Sequence, residues 1–214
     1  MPDADLVCTR RSLHAVAELV LAGPQHRATG DIRLRVSPGG FRTVSAPDLR
    51  VEGDHLVSVE LRVAIDGGTA RSLAAAVGHT AGEPAGVYGE GSGCGIDDEL
   101  HLDRTAAGRI VAAYALGDEA LRMIAPDQDP VLWPEHFDVG IRVGDANYGV
   151  SPGDGFLAEP YAYVGVDPVP DDPYWNAPFG RAQSMTDFTT AEQLATFFRD
   201  GTARFEAAAR RIGL

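Results

Sequence analysis

A chain of 214 residues with a formal net charge of -13, 44% hydrophobic and 23% charged, has the composition of an ordinary globular protein long enough to build its own core. All 18 basic residues are arginine, which excludes a Schiff-base lysine, a Walker lysine and a lysine general base. The acidic balance and the scattered arginines argue against nucleic acid as a partner.

The opening, MPDADLVCTRR, is acidic where a secretory leader is basic, and no apolar run approaches membrane-spanning length. Cys8 and Cys94 lie far apart without CxxC spacing, which argues for a reducing compartment and against a thiolate metal site. The expected setting is the cytoplasm, with no membrane partner.

Leu13, Val16, Ala17, Val20 and Leu21 recur at helical spacing and predict a first helix over 9–22, with Gly23-Pro24 as its stop. Ile32, Leu34 and Val36 alternate with arginines as a half-buried strand, and Ser37-Pro38-Gly39-Gly40 turns it back. Short strands at 41–44 and 49–51 follow, then the Glu52-Gly53-Asp54 turn and the longest expected strand, 55–65. Thr69 caps a helix over 70–77, and 78–95 reads as a long glycine-rich loop. Asp103 caps a helix to 125, with Ile110, Tyr114, Gly117, Leu121 and Ile124 as its buried stripe.

Strands are then expected at 137–143, 147–150 and 157–166. The Pro- and aromatic-rich segment 167–180, with Tyr174, Trp175 and Phe179, reads as an irregular cover. Thr189-Thr190-Ala191-Glu192 forms a capping box with Phe188 as its staple, opening a last helix that carries Leu194, Phe197, Phe198, Phe205 and Ile212. VSPGGF (36–41) and VSPGDGF (150–156) echo one another, either as convergent turns or as the trace of duplicated halves, 1–100 and 101–214, sharing one sheet. The pattern as a whole predicts one α+β domain: a mostly antiparallel sheet of about six strands, helices on one face, and the cover segment over an edge or the other face.

Strand phase locates the chemistry. In LWPEHFDVGIRV (132–143), Phe137, Val139, Ile141 and Val143 point one way, and His136, Asp138, Gly140 and Arg142 the other. His136 and Asp138 then lie about 7 Å apart on one face. Phased alike, FLAEPYAYVGV adds Glu159, Tyr161 and Tyr163 to that face. These groups suit a small polar ligand, or a base and its orienting acid; equally, they suit the solvated side of a sheet.

His101-Leu102-Asp103 and His136-Phe137-Asp138 are pairs of metal-ligand type, but no third ligand completes either, and no metal is expected. His14 reads as an exposed pair with Glu18 one helical turn on, or as a group at the helix edge that reaches the same cavity. GEGSGCG (89–95) lacks the feeding strand, the lysine and the spacing of a phosphate loop, and reads as a mobile loop or lid.

Four phrases, Ser12-Leu13-His14, Trp133-Pro134…His136-Phe137-Asp138, Ser151-Pro152-Gly153-Asp154 and Pro160-Tyr161-Ala162-Tyr163, resemble a family of mainly actinobacterial proteins known only as a domain of unknown function. The similarity runs over most of the chain, except that the middle region differs. It implies no activity, but it picks out His14, His136, Asp138, Tyr161 and Tyr163.

Three functions are expected. The first is a small-molecule-binding domain, in which His14, Arg142, Glu159, Tyr161 and Tyr163 contact a polar ligand. The second is a cofactor-free hydrolase or isomerase with His136 as base, Asp138 orienting it, and Arg142 or Tyr163 steadying negative charge. The third is a homodimeric interaction protein using the aromatic segment.

Overall fold

The computed structural model describes residues 3–89 and 91–212, the side chains of Ala209, Arg211 and Ile212 excepted. Met1 and Pro2 of the acidic opening, Glu90 of the glycine-rich stretch and the expected place of Ile212 in the last helix's stripe lie outside the described residues.

Asp3 caps α1 (Ala4–Ala15), its carboxylate accepting from Leu6 N at 3.3 Å. Gly23-Pro24 does not stop the helix as the sequence predicts. The chain continues in wider π-type turns over Val16–Ala22 and then as α2 (Gly23–Thr29), ending at Gly30 in the left-handed region at φ 78°. The widening explains the continuity. Gly23 N bonds back to Glu18 O, five residues away, and the looser winding accommodates a proline whose missing N–H and bulky ring would break a tighter turn. Gly23 is needed for close approach instead: a Cβ there would overlap the carbonyl of Gly82.

The sheet has ten strands, not about six, in the order β10-β9-β8-β7-β6-β1-β2-β3-β4-β5. All the pairings are antiparallel, so the α+β expectation stands with a larger sheet. The first meander comprises β1 (Leu34–Ser37), β2 (Gly40–Thr43), β3 (Arg50–Glu52), β4 (His55–Val57) and β5 (Arg62–Ala64). The expected strand 55–65 is thus a hairpin, turned where Ser58 Oγ accepts from Leu61 N at 3.2 Å. A short α3 (Ala70–Ala76), capped by Thr69, leads to the glycine-rich loop.

The second meander comprises β6 (Val131–Trp133), β7 (Asp138–Val143), β8 (Ala146–Ser151), β9 (Tyr161–Val166) and β10 (Gly180–Ser184). β6 and β10 fall in stretches to which the sequence reading assigns no element, β10 overlapping the expected cover segment only at Gly180. β9 starts at Tyr161 rather than 157, because Asp154 Oδ1 takes Phe156 N and Leu157 N into a turn. The meanders join at one pair, Leu34 opposite Leu132. The echoed phrases occupy different places within them: one closes β1–β2, the other joins β8 to β9.

α4 (Arg104–Ile124) starts at Asp103, whose carboxylate accepts from Ala106 N at 2.8 Å. It lies over β1, β2, β7 and β8, the π-type turns lie over β1 and β2, and α5 (Ala191–Ile212) lies over β9. The core between these helices and the sheet buries Leu34, Phe41, Val51, Leu132, Val139 and Val150. Gly117 lets α4 settle, since a Cβ there would lie 2.7 Å from Val150 Cγ2. The cap of α5 sits one residue later than predicted, and the reciprocal bond reaches the residue before it rather than closing a capping box. Thr190 Oγ1 accepts from Gln193 N, Gln193 Oε1 takes Thr189 N, and Phe188 packs on Phe197.

The cover segment splits. Ala177 and Phe179 fold onto Tyr161 and Tyr163 on the sheet's outer face, while Trp175 turns inward against Phe205 of α5. Among the described residues no helix is long and apolar enough to cross a membrane.

Candidate functional site

The strand phase holds for Asp138, Arg142, Tyr161 and Tyr163. Across β7, β8 and β9 the register sets Gly140 opposite Gly149 and Gly149 opposite Tyr163, so a phenol ring lies over bare backbone. The Tyr163 hydroxyl donates to Asp138 Oδ2, while Asp138 Oδ1 is buried without a partner. Burial holds the Asp138 carboxyl above the usual carboxylate range, against the opposing pull of that hydrogen bond. Burial and the neighbouring carboxylate also push the Tyr163 hydroxyl up.

His136 and Glu159 depart from the predicted face. Phe137 sits in the left-handed region (φ 55°) and breaks the alternation, so β7 begins only at Asp138. His136 therefore belongs to the β6–β7 turn, is exposed, and has Nε2 3.4 Å from Glu135 Oε1. Among the described residues no hydrogen bond joins it to Asp138. Glu159 lies in the β8–β9 loop and pairs with Arg109 at 3.3 Å. Arg142 stands at the far end of β7, lining a separate cleft of about 880 Å³ with Tyr174, Trp175 and Arg204. Tyr161 donates to Asp154 Oδ2 at 2.6 Å.

A different cleft brings together two of the predicted residues, His14 and His136. It encloses about 300 Å³ between α1, the β6–β7 turn, the start of the β8–β9 loop and the glycine-rich loop. Arg10, Arg11 and His14 line it from α1, with His136, Ser92 and Asp154 opposite. Phe137 fixes this geometry. Its N–H bonds to Trp133 O at 2.7 Å, its carbonyl accepts the buried Tyr114 hydroxyl, and its ring stacks on His14 at 5.2 Å.

His14 is half-buried, and the exposed pair with Glu18 is not what forms. Its Nε2 lies 2.7 Å from Pro134 O. A carbonyl only accepts, so Nε2 carries the proton and Nδ1 of the neutral ring is an acceptor. Burial lowers the His14 pKa, with the hydrogen bond to Pro134 opposing it, which favours this neutral form.

Glu18 faces the glycine-rich loop. Its Oε2 accepts from Ser92 N (2.9 Å) and Ser92 Oγ (2.6 Å). A Cβ on Gly91 would overlap its carboxylate. Farther along the helix, Leu19 O accepts from Gly82 N at 2.9 Å. The loop is thus fastened at two points along the π-type turns and supplies Ser92 as one wall of the cleft.

Sequence reading missed Arg10, Arg11, Asp154 and the Glu18–Ser92 contact. Arg10 and His14 are four apart on one helix, so they share a face; that spacing was the available signal. The Glu18–Ser92 contact spans 74 residues and has no local signature. Asp103 serves as a helix cap, and among the described residues no group of three or more His, Cys, Asp or Glu is placed to hold a metal. A homodimeric role for the aromatic segment would need Trp175 and Phe179 exposed, but Trp175 is buried and Phe179 is half-buried. No protein-family model, curated protein or solved structure matches the chain.

Proposed function

We propose that this chain is a small-molecule-binding domain whose polar ligand occupies the cleft between α1 and the β6–β7 turn. The observation that carries the reading is the meeting of His14 and His136, remote in sequence, in one concave site with Arg10 and Asp154. A cleft of about 300 Å³ stands at the small end of ligand pockets. The phrases singled out by the family resemblance converge on it: His14, His136 and Asp154 line it, and Tyr161 holds Asp154 in place.

A cofactor-free hydrolase or isomerase is the second reading, and one observation favours it. His14 is kept neutral with one ring nitrogen fixed, the state a general base needs. His14 then replaces His136 as the base, because Asp138 is engaged by Tyr163.

A thermal-shift screen of small metabolites, followed by imidazole proton NMR, tests the binding reading. A true ligand raises the melting temperature and moves both the His14 and His136 resonances. Ligands that bind without moving either resonance overturn the placement.

A further inference from the structure

We infer that the ligand of this cleft is a small oxyanion, a carboxylate or phosphate that also presents a hydroxyl group; this rests on the reading of the cleft as the binding site. Arg10 carries the argument. Its guanidinium is half-buried, and Nη1 donates to Ala158 O at 3.0 Å. Among the described residues no carboxylate oxygen lies within 4.0 Å of its nitrogens.

Asp154, across the cleft, acts on Arg10 as a counter-charge without forming an ion pair with it, and the nearby acids all have other partners. Glu159 pairs with Arg109, Asp98 lies 3.7 Å from Arg11, and Asp154 bonds the Tyr161 hydroxyl and two backbone N–H groups. A half-buried cation that is balanced only through space gains from an anion that joins it directly. A planar fork with unused N–H donors fits a carboxylate or phosphate. Gly153 leaves room for the fork, since a Cβ there would lie 2.6 Å from Arg10 Nη1.

His14 supplies the second half of the specificity. Its Nδ1 accepts and does not donate, so it asks for a hydroxyl proton beside the anion. Arg10 and His14 share a helix face, with Cβ atoms about 6 Å apart. A 2-hydroxycarboxylate, or a hydrogen phosphate that brings its own proton, presents both an anion and a hydroxyl. His136 stands at the mouth as a further N–H donor.

Calorimetric titration of the full chain with inorganic phosphate, glycolate, acetate and glycerol tests the inference. Phosphate and glycolate separate the two oxyanion sources, acetate lacks the hydroxyl, and glycerol lacks the charge. Saturable binding of phosphate or glycolate is expected, with acetate weaker and glycerol absent. Arg10→Gln should weaken the tighter probe at least tenfold, and Arg10→Lys less. Arg109→Gln, outside the cleft, should leave it unchanged. Circular dichroism confirms that each variant is folded; should Arg10→Gln not fold, the Arg10→Lys affinity decides. Glycerol binding as well as glycolate, or an Arg10 variant binding as the parent does, overturns the oxyanion inference. A neutral screening hit that moves the His14 resonance independently of Arg10 overturns the inference but spares the binding reading. Absence of any ligand at the two histidines overturns both.

Discussion

The two five-stranded meanders bury similar inner faces and present opposite outer ones. In the first, the register runs Arg35, Arg42, Arg50, Val57 and Arg62 across neighbouring strands. Like charges directly opposite repel, and here Asp48 and Glu52 offset them through ion pairs to Arg42, Arg50 and Arg62. In the second, the corresponding surface runs through Gly140, Gly149, Tyr163 and Ala182 and lies beneath Phe179. The joining turns differ in the same sense. β1–β2, β3–β4 and β7–β8 close on Gly39, Gly53 and Gly144 at positive φ, whereas β6–β7 and β8–β9 carry His136, Phe137, Gly153 and Asp154 to the cleft. One scaffold thus serves two ends, a solvated flank held by charge and a packed flank whose turns carry the candidate chemistry.

The largest test of that division is at Phe137. Its ring meets His14 from α1, Tyr114 from α4 and Phe41 from the first meander, at centroid distances of 5.2 to 5.5 Å. Phe137→Ala removes a fully buried aromatic and should cost about 3–5 kcal/mol in urea unfolding. A loss below about 1 kcal/mol would mean that the turn is not the joint between the halves and the cleft.

Next in size is the clip on the glycine-rich loop. Glu18→Ala deletes two hydrogen bonds to a buried carboxylate and should cost about 1.5–3 kcal/mol. Glu18→Gln, which keeps an acceptor, should cost less. Hydrogen exchange at the Ser92 amide should accelerate in both. Unchanged protection there, with proteolysis of the loop no faster than in the parent, would show that the loop is held by other contacts.

These two sites also mark the limit of what the sequence discloses. Periodicity and caps are local, so α4 with its Asp103 cap and the antiparallel character of the sheet are legible. Alternation places Asp138, Tyr161 and Tyr163 correctly and fails one residue earlier, because the left-handed turn at Phe137 leaves no mark in an apolar–polar pattern. The split of 55–65 into a hairpin escapes notice because the run Val57, Val59, Leu61, Val63 alternates without a break. Val59 and Leu61 are then exposed in the turn. The cleft depends on contacts such as His14 with Pro134, 120 residues apart, which no local rule encodes.

A smaller, pH-dependent effect follows from His14. Burial places its folded pKa below the unfolded value of about 6.5. Its contribution to stability is therefore complete above that pH and is lost as the pH falls through the folded value. Asp138 runs the other way: its folded pKa is raised, so its contribution is complete below the unfolded value of about 3.9 and lost as the pH rises through the folded one. His14→Gln, whose amide can still donate to Pro134 O, should remove only the first dependence. Urea midpoints should thus fall more steeply below about pH 6.5 in the parent than in the variant. Parallel curves would mean that the ring is charged without penalty, which would also remove the basis for His14 as a neutral acceptor.

The smallest expected effect lies on the solvated flank, at Arg62. Its side chain is 52% exposed and its partner Glu52 keeps a second ion pair, with Arg50 Nε at 2.6 Å. An exposed pair that leaves its acid still matched contributes little, so Arg62→Ala should change stability by no more than about 0.5 kcal/mol. High salt should shrink even that difference, since exposed charges are screened. A larger, salt-insensitive loss would require Arg62 to be stabilising through its aliphatic stem over Val57, its cross-strand neighbour. The first meander's outer face would then be a packed surface in its own right, and the contrast between the two flanks would be one of residue type alone.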